Sequence, residues 1–393
     1  MRSRKLSRKK RQAGIVTAAA ASVVAGAVLV PNWSAGAATS AEPSVDPSTR
    51  ATFQKLADAV FTDRTDALVD GGSSAHHAPL SKRFSGEVKL SSAQSRNESS
   101  ALTQLRQRKS RLASLGEKYS AAKTSVTLDR TRVKGARATV DVTETTTLTY
   151  EKAKGNEPKT TGFQAHHRLT FKAGRSGDWQ LSGVRDTDDG VAVNQVLAAP
   201  AVAAPKTAAD DAPPEATRSA ITTPAPAKPK NFTASGYDYK AMAAYAAKYW
   251  NNYNPDYPNF NGQGAGGDCT NFVSQSLKAG GWKHVPGYTD DFHKWFGTAD
   301  IQSDSFVGVN EFSWFALSSK RVTSLDNVYQ LDVGDVLQMD FNKDGSKDHT
   351  MIVTYRSPQG VPYVTYHSTN TYNRSVASII ASYPTAAYYA YRT

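Results

Sequence analysis

A Pro/Ala/Thr tract divides this chain. From Ala198 to Lys230 it reads AAPAVAAPKTAADDAPPEATRSAITTPAPAKPK, with no apolar periodicity and too little hydrophobic surface to build a core. That tract constrains the fold more than any motif does, because no helix or sheet layer with a buried face can run through it. The spacing therefore predicts a semi-extended linker at 196–231. It would join a first domain at about 45–195 to a second at 232–393, each of conventional size.

The N-terminus reads as a targeting segment. Arg2, Arg4, Lys5, Arg8, Lys9, Lys10 and Arg11 precede an Ala/Val-rich stretch from Ala13 to about Val30, and small residues follow at Ser34-Ala35-Gly36-Ala37-Ala38. This layout predicts a secretory signal peptide over 1–38, with a retained single-span anchor as the competing reading. Removing those basic residues takes the formal charge from +12 to about +5, which suits an anionic cell envelope without requiring one. Nothing further along the sequence approaches spanning length. The expectation is a secreted protein, associated with the cell wall, that meets a membrane only through its signal peptide. No nucleic-acid motif is present, and the chemistry below calls for no cofactor.

In the first domain Asp46-Pro47 is a helix-starting pair, and Phe53, Leu56, Val60 and Phe61 fall on one helical face. A second helix is expected over Glu98–Lys118. The period then changes to two at Ala138, Val140 and Val142, and again from Phe163 to Phe171, with turns at Lys134-Gly135 and Gly177-Asp178. Helices on one face of a curved antiparallel sheet follow from this, with no catalytic constellation. The pairs His76-His77 and His166-His167 read as surface or strand positions, since no ligand spacing accompanies them.

The second domain opens with a helix at about Asp238–Asn252, ended by Asn254-Pro255. Glycines lead into a second helix that begins at Cys269 and stops at Gly280-Gly281. The remainder reads as short strands at 335–341, 350–355 and 363–367. Cys269 is the only cysteine in the chain, so it has no disulfide partner within it. A thiol at the positive end of a helix is placed for nucleophilic catalysis; the bland alternative is a small buried hydrophobe. A base must then come from elsewhere. His349 stands at the mouth of one strand and His367 at the end of the next, so a hairpin would bring both to one end of the sheet. Asn370, three residues on, is the alternative orienting residue. His284 and His293 read as surface or packing positions. Asp340, Asn342 and Asp344 copy the first half of a calcium loop, but Met351 stands where a bidentate Glu is needed, so a plain polar turn is preferred and no metal is expected.

Tyr245-Ala246, Asn254-Pro255, Asp268-Cys269-Thr270-Asn271-Phe272-Val273-Ser274-Gln275, Gly334-Asp335-Val336-Leu337, Asp348-His349-Thr350-Met351-Ile352-Val353 and Tyr366-His367-Ser368 together resemble the putative amidase domain family of secreted Gram-positive proteins. The resemblance spans nearly all of 237–393 and none of the first domain. That family is similar to the NlpC-like and CHAP cell-wall hydrolases, which implies a papain-like α+β fold. It further implies Cys269 as nucleophile, His349 as base, His367 as orienting residue and Tyr257 near the oxyanion. The expected activity is that of a cysteine amidohydrolase or peptidase, acting on amide bonds of peptidoglycan through a thioester. The alternatives are a non-catalytic wall-binding module and a transglutaminase-like acyl transferase.

Overall fold

The computed structural model describes residues 45–70, 89–175, 178–190, 192–196, 213–222, 228–263 and 267–393. The expected signal peptide, His76-His77, Gly177 and much of the expected linker lie outside these residues. In chain order the elements are α1 (Pro47–Asp66), β1 (Lys89–Leu90), α2 (Ser92–Ser114), β2 (Tyr119–Lys134), β3 (Arg137–Tyr150), β4 (Thr160–Ala173), β5 (Trp179–Asp186), α3 (Tyr239–Tyr249) and α4 (Cys269–Ala279). There follow α5 (Asp304–Val307), α6 (Val309–Ser318), β6 (Thr323–Leu325), a short 3₁₀ turn, β7 (Val336–Asp340), β8 (His349–Arg356), β9 (Pro362–Tyr366), β10 (Asn370–Ser375), α7 (Val376–Ser382) and β11 (Ala387–Arg392). This is a mixed α+β architecture with largely antiparallel strands. No helix among the described residues is long and apolar enough to cross a membrane.

α1 forms where the sequence placed it. The Asp46 carboxylate accepts from the Ser48 and Thr49 amides ahead of the chain's helical run, and Pro47 gives up no hydrogen bond at that position. Phe53, Leu56, Val60 and Phe61 then pack on the alternate residues Val140 and Val142 of β3 and Leu169 and Phe171 of β4. α2 starts earlier than expected, capped by Ser91, whose hydroxyl accepts from the Gln94 amide. His166 and His167 both lie on β4. His167 is buried, with Nδ1 2.7 Å from Asp186 and Nε2 3.1 Å from Glu144. Burial opposes its charge, but the two carboxylates outweigh burial and raise its pKa to about 9. A raised pKa stabilises the fold fully below the ordinary value of 6.5 and loses that contribution as pH climbs through about 9. Thermal melts at pH 6.5 and pH 9 are therefore expected to show a drop in midpoint that is smaller in a His167→Gln variant.

The two halves share one sheet. β4 pairs along one edge with β3, and its other edge pairs first with β10, through Gln164↔Asn370 and Phe163↔Thr371, and then with β5. From β10 the order continues β9, β8, β7, β11, β6, and the described residues from 45 onward belong to one compact unit. The described parts of the expected linker are tied down as well. The Ser219 amide donates to Tyr388 O, and Lys230 Nζ donates to Asp335 Oδ1 and Thr393 Oγ1. A tract without a core of its own thus borrows hydrogen bonds from the C-terminal half.

In that half α3 and α4 cover one face of the sheet. Met242, Phe272, Val273 and Leu277 meet Val336 and Ile352 there. α7 covers the other face, where Val376, Ile379 and Ile380 meet Met351, Val353 and Val364. α5, α6 and α7 occur where only strands were expected, because short apolar runs carry no period that distinguishes the two.

Candidate active site

Cys269 is the first residue of α4, after Gly267, whose φ of +85° turns the chain into the helix and favours glycine. The Cys269 side chain is buried. Its sulfur lies 3.8 Å from Thr270 Oγ1, and the polar groups of Thr350 and Thr270 favour the thiolate without outweighing burial. Thr270 Oγ1 also bonds Thr350 Oγ1 at 2.8 Å, so the helix start is pinned to β8 at the residue directly after His349. Burial is the largest influence on the thiol and pushes its pKa up from the ordinary thiol value. Alkylation of this single thiol by iodoacetamide is therefore expected to be slow at pH 7 and still rising with pH at 9. A rate that levels off below pH 8 would contradict this.

Asp268, fully buried, organises the surroundings of the thiol. Its Oδ1 accepts from the Phe260 amide and Asn271 Nδ2, and its Oδ2 lies 2.6 Å from His367 Nδ1. The other nitrogen of His367 is 2.8 Å from Tyr249 O. Both ring nitrogens face acceptors, and Nδ1 is placed to donate to the Asp268 carboxylate. The His367 ring stacks on Phe272 of α4 at 4.0 Å and on Tyr253 at 4.1 Å. Tyr253 Oη donates to Asn370 Oδ1, so both candidates for the third residue stand around one tyrosine.

The hairpin expected between His349 and His367 exists, but the rings take opposite faces. β8 and β9 pair as Ile352↔Thr365. Continuing that register by two residues sets Thr350 across from His367, and His349 across from Ser368. Directly opposed residues share a face and successive residues alternate, so a one-residue offset separates the histidines. His367 and Thr350 face α4. His349 faces α7, edge-on to Tyr366 at 4.8 Å, in a cavity of about 20 Å³ lined also by Met351, Ile379, Ser368 and Arg374. Burial, with Arg374 adding to it, lowers its pKa to about 3 and leaves the imidazole neutral.

Tyr257 stands elsewhere. Its hydroxyl accepts from Lys278 Nζ at 2.9 Å, nine positions beyond Cys269 and near the far end of α4, so the expected oxyanion role has no support in this geometry. The calcium-like loop is a polar turn. Asp340 accepts from the Lys343 and Gly345 amides, Asn342 from the Asp344 amide and Asp344 from the Ser346 amide. His293 is exposed beside Asp291, and His284 packs against the edges of Trp295 and Phe306. Sequence reasoning missed Asp268, Tyr253 and Thr350 as parts of the site. The one available signal was the carboxylate placed directly before the cysteine.

The family comparison falls on this half of the chain. Residues 236–391 match the putative amidase domain family. The match takes in α3, α4, Cys269, His349 and His367. Two Bacillus subtilis (strain 168) proteins, the uncharacterized proteins YhbB and YjcM, are 33% and 34% identical over 142 and 148 residues. Each alignment covers 35% of this chain, with 44% of YhbB and 32% of YjcM, so the chain spans less than half the length of either relative. Among solved structures, the intermembrane space region of the chloroplast protein ARC6 aligns at 16% identity and a TM-score of 0.21, covering 37% of this chain and 98% of that one.

Proposed function

We propose that the C-terminal half is a cysteine amidohydrolase, papain-like in mechanism, that cleaves amide bonds of peptidoglycan outside the cell. The observation that carries this reading is the placement of the chain's one cysteine at the first residue of α4, inside the amidase-family match, with its sulfur against the residue that follows His349. In the proposed reaction the Cys269 thiolate adds to an amide carbonyl and the carbon–nitrogen bond breaks. His349 delivers the thiol's proton to the departing amine. Water then attacks the thioester, with His349 taking its proton, and Cys269 is released.

The neutral His349 imidazole is in the form a general base needs, and the reading requires it to swing round the end of β8 from the α7 face. His367, with both nitrogens engaged, serves as a positioning residue that holds Asp268 and so the start of α4. The Cys269 amide, in the first turn of the helix and free of an intrahelical partner, is the donor assigned to the oxyanion. The test is mass spectrometry of the soluble products after the 45–393 chain acts on purified peptidoglycan under reducing conditions. New fragments whose masses differ by hydrolysis of a peptide or amide bond support the proposal. Glycan fragments with intact stem peptides would refute it.

A further inference from the structure

The segment that follows β5 lies across the start of α4. The Asp189 carboxylate accepts from the Gly262 amide at 2.8 Å; Asp188 Oδ1 accepts from Asn261 Nδ2 at 2.9 Å and lies 2.8 Å from His166 Nδ1, while Asp188 Oδ2 accepts from the His166 amide. Asn261 and Gly262 belong to the loop leading to Cys269, and the neighbouring Phe260 amide is bound by Asp268. The contact is close. A Cβ on Gly267, two residues before the thiol, would lie 3.0 Å from Asp189 Cβ, and a Cβ on Gly190 would collide with the Ser368 carbonyl. Asp189 and Gly190 also line the cavity that holds the His349 ring, together with Asp348 and Ser368. The segment therefore runs between the loop before the nucleophile and the strand mouth that carries the proposed base.

We propose that Asp188-Asp189-Gly190 is an internal pseudo-substrate filling the cleft, and that the donors it occupies, the Gly262 amide and Asn261 Nδ2, receive the carboxylates of an acidic peptide when the segment withdraws. This rests on the amidohydrolase reading and names the substrate class of that site. Two features of the segment fit a peptide occupant: it presents the Asp189 carboxylate to a neutral backbone N–H of the loop before Cys269, and it ends in a glycine where a side chain has no room. The donors carry no charge of their own, so a ligand without an acceptor at these positions would leave them unpaired at a cost comparable to a lost hydrogen bond.

The test reads access to the single thiol, which does not depend on turnover. Cys269 in the 45–393 chain is alkylated with iodoacetamide at fixed pH in the wild type, Asp189→Ala, Asp189→Asn and Gly190→Ala, with circular dichroism melts to show which variants are folded. Asp189→Ala is expected to react about tenfold faster than the wild type, the change that loss of one hydrogen bond to a charged group gives, and Gly190→Ala is expected to react faster through its clash with the Ser368 carbonyl. Asp189→Asn, which keeps an acceptor, should stay near the wild-type rate. In the faster variant, the peptide acetyl-Thr-Asp-Asp-Gly-amide should slow alkylation, whereas acetyl-Thr-Ala-Ala-Gly-amide should not. Wild-type rates in whichever alanine variant is folded would overturn the proposal, as would equal protection by both peptides or by neither. If the segment behaves as stated and peptidoglycan is still not cleaved, it is the amidohydrolase reading that fails.

Discussion

Replacing Cys269 with alanine is expected to remove peptidoglycan cleavage, with a fall in kcat of about 10⁴-fold or more, the scale seen when a nucleophile that works as a unit with its base is deleted. The protein should remain folded. The change removes one sulfur from a buried position whose surroundings are held independently, by Thr270 to Thr350 and by Asp268 to His367. A cost of about 1 kcal/mol or less for the lost packing follows, and the melt should hardly move. His349→Ala should lose activity on the same scale if that ring carries the proton. Its cavity faces Tyr366 and Ile379 on the far side of the sheet, so a purely structural role would instead lower the melting point and leave turnover of the folded fraction intact. Steady-state release of fragments, normalised to folded protein, separates these outcomes.

The second large effect is on stability. Asp268→Ala is expected to destabilise the fold by about 3 kcal/mol or more, because the buried donors that its carboxylate satisfies are left short of an acceptor, at about 1–3 kcal/mol each. One of them is His367 Nδ1, in a ring enclosed between the Phe272 and Tyr253 rings. The same deletion orphans the Phe260 amide and leaves Asn271 Nδ2 with its bond to Pro258 O alone among those it makes here. Asp268→Asn keeps an acceptor for some of these donors and should cost less. The double variant Asp268→Asn, His367→Gln should recover part of the loss, since two side-chain amides can hydrogen-bond each other. Urea unfolding of the three proteins measures the differences, and equal midpoints for Asp268→Ala and wild type would contradict the placement.

Much of the C-terminal half was legible because its elements follow from local rules. The Cys269 helix is marked by glycine at both ends, β8 and β9 by β-branched and aromatic runs, and the hairpin by the turn at Pro358–Gly360. The face of each histidine was not legible. It depends on a register that differs by one residue from the one that would align the two rings, and the sequence around Tyr366-His367-Ser368 does not encode that offset. Ser368 and Thr369 both adopt positive φ, and such a local reversal is fixed by the tertiary setting. The division at the Pro/Ala tract was read from composition. Composition could not reveal that β4 would pair with β10 across it, since a strand edge carries no sequence mark of its distant partner. Asp268 was legible as a residue but not in its role, because its partners His367 and Phe260 come together only in the folded chain.

The central claim is that Cys269 forms a covalent bond to the acyl half of an amide substrate. Its most direct test is rapid quenching of the 45–393 chain with purified peptidoglycan fragments, followed by denaturing mass spectrometry and peptide mapping, with soluble products measured in the same samples. The account predicts a mass increase confined to the peptide containing Cys269. That increase should be removed by hydroxylamine, and both the adduct and the soluble fragments should be absent with Cys269→Ala. Release of the same fragments by the Cys269→Ala protein at the wild-type rate would contradict it.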